Sequence, residues 1–134
     1  MSAAADAPCP CGRLEPKGRP RAFGACCAPA LVDPSRAENP EALMRSRYTA
    51  FVLGDVQHLL ATWHPSTRPP SLDLAPDIKW LGLAVKASAQ ADATHGSVEF
   101  VARSRLQGQG QRLHETSRFV FEDGQWFYVD GDLH

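Results

Sequence analysis

Apolar residues recur at helical spacing in the stretch from residue 41 to residue 64. Asn39, Pro40 and Glu41 precede the first apolar position, in the order of an N-cap, a first-turn proline and an early acid. One face of the predicted helix then carries the side chains of Leu43, Met44, Tyr48, Phe51 and Val52. We therefore expect a helix that begins at residue 40 and buries this face.

A second, shorter helix is predicted directly after the first. Gly54 is typical of a helix end because glycine adopts the left-handed conformation there, and Asp55 is a suitable N-cap for the next helix. Val56, Leu59 and Leu60 then place the second helix from residue 56 to about residue 62. The two helices are expected to meet at a tight corner.

Beyond a proline-rich stretch at residues 65–77, the chain changes to the alternating pattern of β-strands. The candidate strands are residues 78–89, 97–106, 112–121 and 126–129. Their joints carry turn residues, among them the Gly108-Gln109-Gly110 and Asp123-Gly124 segments. Helices followed by an antiparallel meander predict an α+β fold in which the helices pack on one face of the sheet.

Composition and charge narrow the classes of function. The chain has 134 residues, 43% of them apolar, which suits one domain with a small appendage. Its formal charge of −1 provides no overall positive field for nucleic acid or an anionic membrane. No stretch approaches the ~18 apolar residues of a membrane helix. The first residues lack the basic and apolar regions of a signal peptide, so we expect a cytoplasmic location.

All four cysteines stand within residues 9–27, as Cys9-x-Cys11 and, fourteen residues later, Cys26-Cys27. Cytoplasmic thiols stay reduced, so a clustered set indicates metal binding before it indicates disulfides. Four thiolates fill the tetrahedron that zinc prefers and leave no position for a catalytic water, which favours one structural Zn²⁺ ion. The alternative is a set of redox-active thiols, in which Cys26 and Cys27 are candidates for a vicinal disulfide.

Longer segments add a resemblance to a known family. The segment from CPCG to FGACC resembles the SEC-C zinc motif, and LMRSRYTAFVLGDVQHLLATWHPSTRP resembles the YchJ-like family of small bacterial proteins. The segments KWLGLAV, VEFVARSR and ETSRFVFEDGQWFYVDG continue the resemblance in order. It covers roughly residues 8–131, although the loop between the cysteine pairs is longer here than is usual in the family.

The resemblance implies a division of the chain. Residues 1–38 are expected to hold the N-terminal tail and the SEC-C motif, with Cys9, Cys11, Cys26 and Cys27 as zinc ligands. Residues 39–134 are expected to form an NTF2-like (cystatin-like) cone, in which a helix pair packs on a curved antiparallel sheet. The family's biochemical role is uncharacterised.

Cones of this type often hold a pocket between helices and sheet. The candidate lining residues here are Arg45, Tyr48, Trp63, His64, Trp80, Arg103 and Glu115. In one hypothesis the protein is a small enzyme in which His64 acts as the general base. The alternative is a histidine at a helix end that caps carbonyl groups or faces water.

The charged residues admit two interpretations as well. Arg45 and Arg47 lie off the apolar stripe, so each either faces water or clamps an anion. On the strands, Arg103, Glu115 and Arg118 could pair with one another. Such pairs would form either an exposed face of weak salt bridges or a charged pocket for an acidic ligand.

The function favoured at this point is a non-enzymatic adaptor. By its resemblance to SEC-C motifs elsewhere, the zinc segment is expected to contact a protein partner or the ribosome, and the NTF2-like cone to bind a ligand or partner. Arg13, Lys17, Arg19 and Arg21 leave RNA as a weaker option, because only Phe23 lies nearby to stack on a base. No membrane partner is expected, and a homodimer through the sheet face stays open.

Overall fold

In the computed structural model, which describes residues 4–134, helices precede strands. The helices are α1 (Ala28–Val32), α2 (Pro40–Leu53) and α3 (Val56–Ala61). The strands are β1 (Lys79–Gln90), β2 (His95–Leu106), β3 (Gln109–Glu122) and β4 (Gln125–Leu133). The strands form one antiparallel sheet in the order β1-β2-β3-β4. The predicted α+β class and the helix pair on a meander are confirmed.

The ends of α2 and α3 are set by the residues that the sequence indicated. The Asn39 side chain accepts a hydrogen bond of 2.8 Å from the backbone N–H of Ala42, which caps α2. Gly54 ends this helix with a φ of 73°, in the left-handed region that favours glycine. The Asp55 carboxylate then accepts from the backbone N–H of His58 at 3.0 Å and caps α3.

Helix α2 is buried on more faces than the single stripe predicted. Ser46, Arg47 and Thr49 are buried together with the apolar face. The reason is that β1, β2 and β4 cover one side of the helix, while α1 and α3 cover others. Although α2 is 14 residues long, no helix within residues 4–134 is both long and apolar enough to cross a membrane.

The sheet bends at irregularities in its ladders. The pairing of β1 with β2 shifts register between Trp80 and Gly82 and between Val85 and Ala87, and β3 with β4 shifts at Arg118. Extra residues of this kind increase local twist and bend the strand. The strands also extend beyond the predicted limits at the hairpin ends, where each meets its partner through a short turn.

One cross-strand expectation is wrong. Glu115 points toward the helices, whereas Arg118 lies on the outer face, because side chains three residues apart on a strand face opposite sides. Arg118 instead donates to Asp130 and Asp132 of β4, each at 2.6 Å. Arg103 is exposed and stands opposite Arg112. The predicted grouping of Arg103, Glu115 and Arg118 therefore does not form.

The N-terminal segment folds back on itself as an arm. Isolated antiparallel bridges join Pro8 to Ala22 and Leu14 to Pro20, so residues 8–22 form a hairpin-like loop. The long loop between the cysteine pairs is thereby ordered by its own backbone hydrogen bonds, including Glu15 N–H to the Arg19 carbonyl at 2.8 Å. The base of the arm brings the two cysteine pairs together.

Candidate metal centre and aromatic cavity

The four cysteines converge because the chain bends at each pair. Gly12 follows Cys11 with a φ of 76°, a conformation in which the chain turns away from the first pair. At the second pair, Cys26 has φ −120° and ψ −93°, and Cys27 precedes α1. This irregular backbone conformation at Cys26 lets the neighbouring side chains of Cys26 and Cys27 both point toward the sulfur atoms of Cys9 and Cys11.

The spacing of the sulfur atoms fits a tetrahedral zinc ion. The four Sγ atoms all lie within 4.8 Å of one another, and those of Cys11 and Cys26 are 3.6 Å apart. Sulfur atoms at the corners of a tetrahedron with Zn–S bonds of ~2.3 Å lie ~3.8 Å apart. All four cysteines are free thiols, and all except the half-buried Cys26 are buried. The donor set and its spacing therefore suit a closed Zn²⁺ site.

Side chains of α2 surround this cysteine cluster. Arg45 Nη1 donates to the Cys11 carbonyl at 3.0 Å and lies 3.8 Å from the Cys11 sulfur. Its Nε donates to Glu41 at 2.9 Å. The Thr49 hydroxyl lies 3.9 Å from the Cys9 sulfur. A guanidinium beside four thiolates offsets part of the negative charge that a zinc–tetrathiolate site carries.

Without a cation, the thiols of Cys26 and Cys27 resist ionisation. Hydrogen bonds from Cys11 and Cys27 lower the pKa of Cys9. Burial, followed by the charges of Cys11 and Cys9, raises the pKa of Cys26 to about 12. The pKa of Cys27 is raised too, first by hydrogen bonding with Cys11 and Cys9. A divalent cation removes this conflict because it holds its ligands as thiolates.

One other set of metal-ligand side chains lies together within residues 4–134. Glu99, His114 and His134 meet on the outer sheet face, opposite the helices. His114 Nε2 is 2.7 Å from the Glu99 carboxylate, and the two imidazole rings stack with centroids 4.3 Å apart. Stacked rings present their faces rather than their nitrogen lone pairs to each other, so this set is a poorer match to a metal than the cysteines.

A cavity of about 270 Å³ lies between α2 and the concave face of the sheet. Seven of its thirteen lining residues are aromatic: Tyr48, Phe51, Trp63, Trp80, Phe100, Phe119 and Tyr128. Several of these rings meet edge to face, such as Trp63 and Tyr128 with centroids 5.2 Å apart. The volume lies just below the range of about 300–1,000 Å³ that is usual for ligand pockets.

The cavity also contains one buried cation. Arg47 is 6% exposed, and its guanidinium carbon lies 4.6 Å from the Tyr128 ring centroid and 5.3 Å from that of Trp63. Its Nη1 donates to the Leu59 carbonyl at 2.8 Å and to Thr62 at 2.7 Å. Burial lowers the pKa of Arg47 to about 10, so the group stays charged at neutral pH.

Glu115 supplies the opposite charge on the sheet side of the same cavity. Its Oε2 accepts from the Ser117 hydroxyl at 2.7 Å, and no Arg–Glu ion pair within 4.0 Å joins it to Arg47. The Glu115 carboxylate lies over Gly131 of β4, where an added Cβ would collide with it. A glycine at this position therefore provides the space that the carboxylate occupies.

The structure distributes the predicted pocket residues over several places. Tyr48, Trp63, Trp80 and Glu115 line the cavity. Of the other candidates, Arg45 lies beside the cysteine cluster, Arg103 is exposed on β2, and His64 lies outside the lining, next to β3. Each of these three is directed away by its element: Arg45 by helical rotation, Arg103 by strand alternation, and His64 by the turn that follows α3.

His64 has well-defined partners at its own position. Its Nε2 lies 2.8 Å from the Glu122 carboxylate. Its Nδ1 accepts from the backbone N–H of Ser66 at 3.1 Å and lies 2.7 Å from the Ser66 hydroxyl. Because Nδ1 accepts a hydrogen bond, the ring proton belongs on Nε2, where it is donated to Glu122.

Comparison with known proteins identifies the family. The model of the middle, NTF2-like domain of YchJ proteins matches residues 39–131. The chain belongs to the YchJ-like family. A UPF0225 protein of Polaromonas sp. strain JS666 is 57% identical over 127 residues, which cover 92% of this chain and 91% of that protein. A UPF0225 protein of Chromobacterium violaceum is 52% identical over 134 residues, covering 95% and 93% of the two chains.

Two solved structures resemble this YchJ-like chain over most of its length. One is the solution structure of a SEC-C motif containing protein from Rhodopseudomonas palustris, with 33% identity, a TM-score of 0.78 and coverage of 94% of this chain and 98% of that one. The other is the crystal structure of a SEC-C motif containing protein from Psychrobacter arcticus, with 28% identity, a TM-score of 0.78 and coverage of 97% and 84%. Both are similar to the arm, helices and sheet together.

Two residues of this YchJ-like chain are more central than sequence reasoning indicated. The helical pattern predicts Arg47 off the apolar stripe, yet its guanidinium is buried in the cavity lining. The pattern of the second helix assigns His58 no role, yet it is 3% exposed and its Nε2 lies 2.9 Å from the Ser46 hydroxyl. The sequence offers no clear signal for either residue. Polar residues such as Ser46, Arg47 and His58 are common on solvated helices, and only their contacts in the fold show that they are buried.

Proposed function

We propose that this protein is a zinc-stabilised, non-enzymatic binding module of the cytoplasm. In this proposal one structural Zn²⁺ is held by Cys9, Cys11, Cys26 and Cys27, and it fixes the N-terminal arm against α2. The arm makes a macromolecular contact, and the aromatic cavity receives a small ligand. The observation that carries the proposal is the convergence of four thiols at tetrahedral spacing within the same hydrophobic core as the cavity domain.

The contact face of the arm has a definite chemistry. A groove of about 510 Å³ runs between the arm and the segment before α2, next to Cys26. It is lined by Arg13, Arg21 and Arg36, against a single acid, Glu38. Three guanidinium groups in one concave surface favour an acidic partner, because Arg binds carboxylates and phosphates through paired hydrogen bonds. An acidic protein surface is the partner that we propose.

Metal content tests the first part of the proposal. Native mass spectrometry of reduced, metal-replete protein is expected to show one equivalent of zinc, and the Cys26→Ser, Cys27→Ser variant is expected to show none. His114→Ala serves as the matched control because it removes the best ligand of the other candidate set. Protein without zinc under these conditions would contradict the proposal and favour the redox interpretation of the thiols.

Partner recovery tests the second part. Tagged wild type is compared in lysate with the double cysteine variant and with Arg13→Glu, Arg36→Glu, and the recovered proteins are quantified. Arg103→Glu, Arg105→Glu on the exposed face of β2 is the control for a change of the same charge. Acidic proteins lost only with the first two variants would support the adaptor role, and identical recovery from all four proteins would contradict it.

The small-enzyme alternative rests on a separate observation. His64 has a carboxylate on one ring nitrogen and the Ser66 hydroxyl near the other, the arrangement of a base with an orienting acid. Hydrolysis of p-nitrophenyl acetate by wild type and His64→Ala tests it. A rate that depends on His64 would favour the enzyme, whereas equal rates would favour the binding module.

A further inference from the structure

The cavity holds two opposite charges, Arg47 and Glu115, that do not form an ion pair with each other. Arg47 is nine-tenths buried and lacks a carboxylate within 4.0 Å, and Glu115 forms no ion pair within residues 4–134. Both side chains line the same apolar space. A buried charge that lacks a close counter-charge is costly, so proteins usually pair it or bring it a ligand. The half-buried Glu115 offsets part of the Arg47 charge through space, but neither group has a direct ionic partner, so each can take a ligand group of opposite charge.

Arg47 has hydrogen-bonding capacity left for a ligand. Its Nη1 is used by the end of α3, through Leu59 and Thr62. Its Nε and Nη2 form no hydrogen bond within the described part of the chain. Neither atom is fully enclosed by protein, so both can be reached by a ligand. This edge of a guanidinium is the fork that binds a carboxylate through two parallel hydrogen bonds.

Glu115 is also prepared for a ligand. Ser117 occupies Oε2, which leaves Oε1 as an acceptor. The carboxylate is kept in place by the space over Gly131. The faces of Tyr128 and Trp63 are already covered by the Arg47 guanidinium, so the free carboxylate oxygen of Glu115 is the group that a ligand cation would meet. An ammonium group is the chemical partner that satisfies this side of the cavity.

We infer that the cavity binds a small aromatic ligand that carries both a carboxylate and an amine, with the carboxylate on Arg47 and the ammonium near Glu115. The aromatic walls account for the apolar body of the ligand. This inference rests on the proposed function in requiring a ligand-binding cavity, but it does not depend on zinc or on a partner of the arm. The size of the cavity limits the ligand to one ring with short substituents.

NMR of the tryptophan indole groups tests the inference on the full chain. Trp63 and Trp80 line the cavity, whereas Trp126 does not, so Trp126 is an internal control. The probes are L-phenylalanine, with both charges on one carbon, and 4-(aminomethyl)benzoate, with the charges at opposite ends of a ring. Each is compared with analogues that keep one charge: 3-phenylpropionate and 2-phenylethylamine for the first, 4-methylbenzoate and benzylamine for the second.

At least one doubly charged probe is expected to shift the Trp63 and Trp80 signals and to bind about tenfold or more tightly than its single-charge analogues. Binding of neither probe would overturn the inference. Equal affinity for the carboxylate analogue would overturn it as well, because Glu115 would then have no part in recognition. Either failure leaves the zinc and partner experiments unaffected, so the two proposals fail separately.

Variants locate the ammonium site. Glu115→Gln is expected to weaken the doubly charged probe about tenfold and to leave the carboxylate analogue unchanged. Gly131→Ala displaces the same carboxylate sterically and should reduce the same selectivity with Glu115 still present. Glu99→Gln, on the outer face of β2, is the matched control and is expected to change neither affinity. The same spectra show whether each variant is folded, and unchanged selectivity in folded Glu115→Gln would overturn the inference.

Discussion

Acidification is expected to destabilise the protein through His58 on α3. This side chain is 3% exposed, and its Nε2 lies 2.9 Å from the Ser46 hydroxyl. Ser46 donates its own proton to the Leu43 carbonyl at 2.7 Å, so it accepts from His58 and places the ring proton on Nε2. The other nitrogen, Nδ1, is buried with no partner within residues 4–134. A second proton there would have no acceptor.

The pKa of His58 is lowered to about 4, first by burial and further by the charge of Arg47, although Asp55 acts in the opposite direction. In the unfolded chain the group titrates near its ordinary value of 6.5. Between these values the unfolded state binds more protons than the folded state, so stability falls as the pH falls. The full loss below pH 4 is about 3 kcal/mol, and the change from pH 7 to pH 5 is about 2 kcal/mol.

Urea unfolding of wild type and His58→Gln at pH 7, 6 and 5, with zinc in excess, measures this contribution. Glutamine keeps a donor for Ser46 but does not titrate. Proton uptake by the cysteines and carboxylates affects both proteins alike, so the free energy of unfolding of wild type should fall about 2 kcal/mol more than that of the variant. Parallel curves for the two proteins over this range would refute the reasoning.

Three other changes have defined outcomes. Arg45→Met removes the donor to the Cys11 carbonyl and is expected to lower zinc affinity roughly 10–100-fold in a chelator competition. Arg105→Met on β2 should leave the affinity unchanged, and equal zinc affinities of the two variants would contradict the role of Arg45. Gly96→Ala is expected to lower the free energy of unfolding, measured in urea, by about 1–3 kcal/mol, because the new Cβ would overlap the rigid ring of buried Pro40. Gly110→Ala, which has open space around it, should stay near wild type. Asn39→Ala removes the cap of α2 and should cost about 1 kcal/mol by the same measurement, and a smaller cost for Asn39→Asp would show that capping is the cause.

The elements could be predicted because their signals are local. Asn39, Gly54 and Asp55 act on the backbone within four residues of themselves, and alternation along a strand is a property of that strand alone. The cysteine cluster is predictable for a related reason: four side chains so close in sequence need only short bends to converge. Most predicted strand ends lie within one to three residues of the observed ends. The remaining differences arise mainly because hairpin pairing extends the strands into their turns.

The cavity could be predicted only in part because it depends on how distant elements pack. The large rings of Tyr48, Trp63 and Trp80 belong in any core of this size, so their place in the lining was accessible from residue type. For Arg47 the sequence leaves two alternatives, a side chain in water or one that clamps an anion, because only a third element that covers it decides between them. Here α3 and β4 cover it, and its hydrogen bonds to Leu59 and Thr62 at the end of α3 follow only from the packing of the two helices.

The stretch from Arg45 to Tyr48 explains how one helix serves two sites. Successive residues of an α-helix are rotated by about 100°, so four in a row point in four directions. Arg45 bonds to the Cys11 carbonyl of the arm, Ser46 to His58 of α3, and Arg47 reaches the end of α3 and the cavity, while Tyr48 packs on Trp80 of β1 with centroids 5.6 Å apart. Arg45 and Arg47 are separated by only about 3 Å along the helix axis. The cysteine cluster and the cavity thus receive their arginines from the same turn of α2.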